Sequence, residues 1–349
     1  MNLNFLKGLL IILVIADHNE FTRALFPEFF RGLTFHVVGF MTIPFLRPPM
    51  RVASAQFAAY AFRLYYPFLL AACALWLVVT LTEAAPLAER LGLLAAVLYS
   101  GNADLLKRVL HMGLLWFLPS FLALVTLRNL IDTSAVRVRQ AALVLLLVAH
   151  VWIGMAAPAI EDFLPLGVLP ALYMIPLAYA GVALHRKLFE PLGAARALVL
   201  ATLAFVAVKA LQMHLHLNNE VGFAQVADVR NLGALLVNDL EAVTGTLMLF
   251  QAARLNLAGL VAACGKVSLQ IYLFHAFVAL ALYRLLMLAM PQLAPAWLFV
   301  LSMSATILLT LALAMLVMRL PLLRRLLFPH SLADLRGRAS APASAPLPR

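Results

Sequence analysis

Charge is what this chain has least of. Asp, Glu, Lys and Arg supply only 12% of its 349 residues, while AVILMFWYC supply 64%; soluble domains carry roughly a quarter and about half. That balance excludes a soluble enzyme. Cysteine is nearly missing too: Cys73 and Cys264 lie in or beside apolar stretches, with no CxxC spacing. Neither a disulfide framework nor a thiolate metal site is supported. The sequence also lacks a glycine-rich phosphate loop after a strand, an HExxH and a GxSxG. The common ATPase, metalloprotease and serine-hydrolase readings therefore have no motif to stand on.

What the chain does have is apolar length. A spanning helix needs about 20 mostly apolar residues. Runs bounded by charges or prolines fall at 3–18, 30–46, 64–82, 112–127, 140–157, 166–184, 195–213, 231–250, 267–290 and 296–318. The pattern predicts an all-α, polytopic membrane helix bundle of about ten transmembrane helices, with no large domain outside the bilayer. The short run 87–99 reads as a re-entrant or surface helix. In the first run, Asp17 and His18 stand where a signal peptide would place small residues for cleavage. It reads as a retained span.

The net charge of +11 acquires meaning loop by loop. Connections 47–63, 128–139, 185–196 and 251–266, the tail from Arg319 and Lys7 hold eighteen Lys and Arg, and the opposite connections hold six. Acidic residues lean the other way, three against nine. The positive-inside rule then places both termini in the cytoplasm. Topology and anionic lipid account for the basic excess, so nucleic acid is not an expected partner. Residues 1–328 form one transmembrane domain, and the Ala-, Ser-, Pro- and Arg-rich stretch 329–349 is expected to be a disordered cytoplasmic tail.

Ionisable residues at membrane depth are functional hypotheses by default, because each costs several kcal/mol unless it faces protein or water. Inside the proposed spans these are Lys7, Asp17, His18, His36, His150, Lys209, Asp239, Glu241, His275 and Arg284. Lys7 and His18 are eleven residues apart, which on a helix leaves them within roughly 20° of one direction and about 16 Å apart along the axis. The cation suits anionic phosphate or a polarised carbonyl, and the imidazole suits proton transfer. Equally, Lys7 can snorkel to the interface while His18 caps the outer helix end beside Asp17, Asn19 and Glu20.

His36 lies near Gly39, a residue small enough for close helix approach. A lone intramembrane histidine is more often a hydrogen-bonding residue of the bundle than a catalyst. Asp239 and Glu241 are about 200° apart around a helix and cannot both enter one pocket without distortion. His275 sits about a third of the way out from the cytoplasmic face. His150 has a bland apolar neighbourhood, and snorkelling accounts for Lys209 and Arg284. On this inventory a proton-coupled transporter competes on equal terms with an enzyme.

The opening segment from Leu3 through Lys7-Gly8 to Asp17-His18 resembles the first helix of the acyltransferase 3 family of integral membrane acyltransferases. There an arginine followed by glycine precedes an essential histidine by ten intervening residues, and Lys7-Gly8 and His18 keep that spacing. Further resemblances follow in order: Phe35-His36 through Pro44-Phe45, Arg63 through Pro67-Phe68 at a proline entering the third helix, Leu115-Trp116-Phe117-Leu118-Pro119, and Ser268 through Tyr272-Leu273-Phe274-His275. The likeness covers nearly the whole chain. Lys7 departs from the usual arginine, keeping charge but losing the planar fork. Asn4 replaces a residue often acidic, and Tyr60 stands where a second arginine is common.

The resemblance implies acyl transfer, commonly of acetyl, from a coenzyme A thioester to a hydroxyl of an envelope glycan or lipid-linked sugar at a bacterial inner membrane. On that reading acyl-CoA is a co-substrate and no cofactor is tightly bound. His18 and Lys7 would be catalytic, and Lys7, Arg63, Arg47 and Arg51 would hold the donor. His36, Asp239, Glu241, Trp116 and His275 would contact substrate, and no metal site is expected. The alternative is a transporter or flippase for a lipid-linked saccharide, which would rely on Asp239 and Glu241.

Overall fold

The computed structural model describes residues 1–30, 34–83, 86–156, 164–217, 232–255, 257 and 259–335. Among them there are helices and no strand. In chain order these are α1 Leu3–Asp17, α2 Glu20–Leu25, α3 Pro27–Phe30, α4 Phe35–Thr42, α5 Ala55–Thr82, α6 Leu87–Ser100, α7 Ala103–Leu110, α8 Phe117–Asp132 and α9 Val136–Ala156. There follow α10 Val168–Leu184, α11 Ala194–His214, α12 Leu232–Arg254, α13 Leu260–Lys266, α14 Ser268–Ala289, α15 Pro295–Arg319, α16 Pro321–Leu327 and α17 Leu332–Leu335. Nine stretches of the described residues are long and apolar enough to cross a membrane. The chain is a multi-pass helical membrane protein.

The first helix is the exception in length and the hub in packing. At fifteen residues it is about 22 Å long, short of the roughly 30 Å hydrocarbon core. No residue between Asn2 and Asn19 is exposed, as expected of a helix that is apolar all round and therefore lies inside a bundle. It packs on α4, α12, α13, α14 and α15. Phe5, Leu6 and Leu10 join the core built with α4, α8, α10 and α12; Ile11, Val14 and Ile15 join a second core with α13, α14 and α15.

Glycines set the spacing around this hub. A Cβ on Gly8 would fall on the Val261 carbonyl of α13, and one on Gly265 would fall on the Asn4 carbonyl of α1. Gly39 of α4 admits Leu10 of α1, at 2.6 Å from where its Cβ would stand, so the close approach expected from its size is present.

Several boundaries differ from the sequence expectation. The third span starts at Ala55 and not at residue 64, because Ser54 caps it (Phe57 N–H to Ser54 Oγ, 3.1 Å) and no glycine or proline lies between Ala55 and residue 64. Pro67 is inside this helix, and Arg63 rides on it rather than on a loop. The run 87–99 forms the short α6, packed on α5 and α7. Within the stretch expected to be a disordered tail, Leu332–Leu335 makes one helical turn, and residues 336–349 lie outside the described residues.

Candidate active site

The second end of α1 gathers one cluster of the buried polar side chains. The helix ends at Asp17 because Asn19 leaves helical geometry (φ −95°, ψ 118°) to cap α2, its Oδ1 accepting from Thr22 N–H at 3.1 Å. The same side chain donates through Nδ2 to Ser302 Oγ of α15 at 2.7 Å. The turn carrying Asp17 and His18 is thereby pinned between two helices.

His18 folds back along its own helix, with Nδ1 2.8 Å from the Val14 carbonyl. A carbonyl can only accept, so in the neutral ring Nδ1 carries the proton and Nε2 presents a lone pair. That nitrogen lies 4.0 Å from Asp17 Oδ2. The His275 ring of α14 meets the His18 ring edge-on, centroids 5.5 Å apart. His275 repeats the arrangement: its Nδ1 donates to the Tyr272 carbonyl at 2.7 Å, and its Nε2 is buried with no hydrogen-bond partner.

His36 of α4 arrives from a third direction. Its Nε2 is 3.8 Å from Asp17 Oδ2, and its Nδ1 is buried without a partner. The other Asp17 oxygen is 3.5 Å from Arg23 Nη2. Two histidines thus approach one carboxylate at electrostatic rather than hydrogen-bonding distance, and His275 joins them through the His18 ring. His36 keeps 2% of its side chain accessible and His18 keeps 25%; His275 is buried. Of the three imidazoles, His18 is the least buried.

The sequence-predicted residues divide by location. Lys7 is half-buried at the other end of α1, about 16 Å along the axis from His18, and feels the charge of Arg47. Arg47 and Arg63 both act on Tyr60, and Arg63 Nε donates to the Ala59 carbonyl of its own helix at 3.3 Å. Arg51 is exposed on the turn before Ser54. Trp116 is removed from the histidines by a chain of aromatic contacts: Trp116 to Phe117 at 6.1 Å, Phe117 to Tyr272 at 5.5 Å, and Tyr272 to His275 at 5.9 Å. The Tyr272 hydroxyl donates to the Leu114 carbonyl, which ties α14 to the turn before Trp116.

The acidic pair on α12 separates, as its angular spacing requires. Asp239 accepts from His150 Nε2 at 2.9 Å and from the Tyr173 hydroxyl at 3.3 Å, while His150 Nδ1 donates to the Tyr173 carbonyl at 2.7 Å. Glu241, fully buried, accepts from Thr34 Oγ1 at 2.8 Å. On the α11 side Lys209 donates to Gln212 at 2.7 Å, and Gln212 to Asn238 at 2.9 Å.

Two residues carry more than sequence reasoning gave them. Asp17 stands in the sequence as one ionisable residue at membrane depth among several and as a neighbour of His18, yet it is the group that both His18 and His36 approach; the adjacency Asp17-His18 at a helix end is the available signal. His150 stands out in the sequence only as a histidine at membrane depth in a bland apolar neighbourhood, since its partner is on a helix almost ninety residues away. Among the described residues no three His, Cys, Asp or Glu side chains are arranged to hold a metal ion.

A family model described as an acyltransferase domain matches residues 2–316. No curated protein matches the chain, and no solved structure does.

Proposed function

Because the chain belongs to the acyltransferase 3 family and is a membrane acyltransferase, we propose that it moves an acyl group, acetyl in the first instance, from a coenzyme A thioester to a hydroxyl of an envelope glycan or lipid-linked sugar, with His18 as general base. The observation that carries this reading is the presentation of His18. Its proton is held on Nδ1 by Val14, a quarter of its side-chain surface is accessible, and a carboxylate stands 4.0 Å from Nε2.

In the proposed reaction the acceptor hydroxyl gives its proton to His18 Nε2 as its oxygen bonds to the thioester carbonyl carbon. The tetrahedral intermediate collapses by breaking the C–S bond, and the departing thiolate takes the proton back from Nε2. Products are an ester and free coenzyme A. General-base help of this kind is worth about 10² to 10⁴ in rate. Asp17 stabilises the transient imidazolium through its charge. Lys7 serves the donor end with Arg47 and Arg63, as a cation facing anionic or polarised groups. His18 at one end of α1 and Lys7 at the other suit a donor in the cytosol and an acceptor met deeper in the bilayer.

The transporter reading depends on Asp239 and Glu241 acting as a pair, and each has its own partner on a different helix. The test is transfer itself. Purified protein incubated with labelled acetyl-CoA and a panel of envelope sugars should yield labelled ester, and His18→Ala should abolish it while the protein remains inserted and monodisperse. Full transfer by that variant would remove His18 from the chemistry.

A further inference from the structure

At the Lys7 end of the bundle a cleft of about 500 Å³ opens between the chain after α4 and helices α8 to α10, lined by Arg47, Arg128, Arg139, Arg186, Asp132 and Tyr179. We propose that this cleft is a binding site for a phosphoryl group. Four guanidinium groups face one carboxylate there. That carboxylate is already engaged: Asp132 pairs with Arg128 Nε at 2.8 Å and accepts from the Tyr179 hydroxyl at 2.8 Å.

Arg128 is scaffold as much as ligand. Buried, it donates to the Arg47 carbonyl at 2.6 Å and to Asn129 Oδ1 at 3.1 Å, and its guanidinium sits 5.6 Å from the centre of the Phe45 ring. Asn129 Oδ1 also accepts from Met50 N–H at 2.9 Å. The loop carrying Arg47, with Pro48 and Pro49 in it, is thus tied at both ends to α8. Arg186 is set by a π-helical turn, His185–Phe189, closed by Glu190 N–H to the His185 carbonyl at 2.8 Å. Such turns are rare and cluster at functional sites.

Among the described residues, Arg47, Arg139 and Arg186 have no ion pair and no side-chain hydrogen bond of their own. The positive-inside rule accounts for the number of arginines in these connections. It does not account for three connections converging on one concave wall with their guanidinium groups left unpaired. Planar forks at several angles match a tetrahedral polyanion better than a carboxylate, and the volume admits one.

Two sources supply that chemistry: the phosphates of a coenzyme A donor, which rests on the proposed function, or the headgroup of an anionic phospholipid. The test uses the full chain in nanodiscs and needs no turnover. In phosphatidylcholine discs, binding of coenzyme A and of dephospho-coenzyme A is measured for the parent, for Arg139→Ala/Arg186→Ala and for Arg139→Lys/Arg186→Lys. In discs containing phosphatidylglycerol, retained lipid is counted by native mass spectrometry.

A loss of coenzyme A affinity of at least about tenfold in the alanine pair, partly restored in the lysine pair, supports the site with the donor as its source. Loss of retained anionic lipid with unchanged coenzyme A binding supports it with a headgroup as its source. If the alanine pair does not fold, Arg139→Gln and Arg186→Gln carry the same comparison singly, each expected to weaken its ligand by about threefold or more. No change in either ligand overturns the proposal. Because binding alone is read, that result leaves the His18 chemistry standing, and an active His18→Ala variant would leave this site standing.

Discussion

Replacing Asp17 by asparagine keeps the side-chain shape and deletes only the charge beside the proposed base. A full negative charge 4.0 Å from His18 Nε2 stabilises a full positive charge there by about 4 kcal/mol at an effective dielectric of about 20. Only part of that charge has developed in the transition state, and the Arg23 guanidinium, 3.5 Å from the other carboxylate oxygen, opposes the effect. About half remains, roughly 2 kcal/mol, or about thirtyfold in kcat. The assay is steady-state release of coenzyme A thiol by protein in nanodiscs, with kcat and KM separated and acceptor saturating. The expected result is a kcat lower by one to two orders of magnitude and a nearly unchanged donor KM. A kcat within about threefold of the parent, or a change confined to KM, would show that the carboxylate does not act on the imidazolium and would refute the reasoning.

Two further outcomes follow from α1. Lys7→Arg retains the cation and should keep most of the transfer rate, whereas Lys7→Ala should raise the donor KM by about tenfold or more; equal loss in both would argue against a simple cation role. Gly8→Ala forces a methyl group against the Val261 carbonyl, a backbone atom that cannot swing aside, and should cost about 1–3 kcal/mol or more, read as a lower thermal midpoint in detergent. Gly92→Ala in α6, with nothing within 4 Å of the added carbon, serves as the comparison and should leave the midpoint unchanged or raise it.

Much of the architecture was legible because a bilayer imposes a one-dimensional rule. Backbone groups must be satisfied within each segment, so apolar length alone marks a spanning helix, and that rule marked the nine stretches long enough to cross, together with the shorter first helix. Angular periodicity is equally local: it said that Asp239 and Glu241 face different ways, and they bond to different helices. Gly39 was readable for the same reason, since a residue without a side chain in an apolar helix has few uses other than contact. Where the rule misled, a stronger local term intervened. Pro67 looked like a helix start, but the cap at Ser54 nucleates the helix three turns earlier, and the long helix around it carries the proline.

Taken alone, the sequence determined that the chain is a membrane bundle, which segments build it, and that a lysine and a histidine sit eleven residues apart on its first helix. Only the tertiary structure decided that His18 and His36 meet at Asp17 with His275 against His18, that His150 answers Asp239, and that arginines from three connections line one cleft. The physical reason is that the spans share the same greasy composition, so nothing written along any one of them states which others it will touch. Helix partners are chosen by shape, through contacts such as Gly8 on Val261 and Gly265 on Asn4, and those choices bring distant polar residues together.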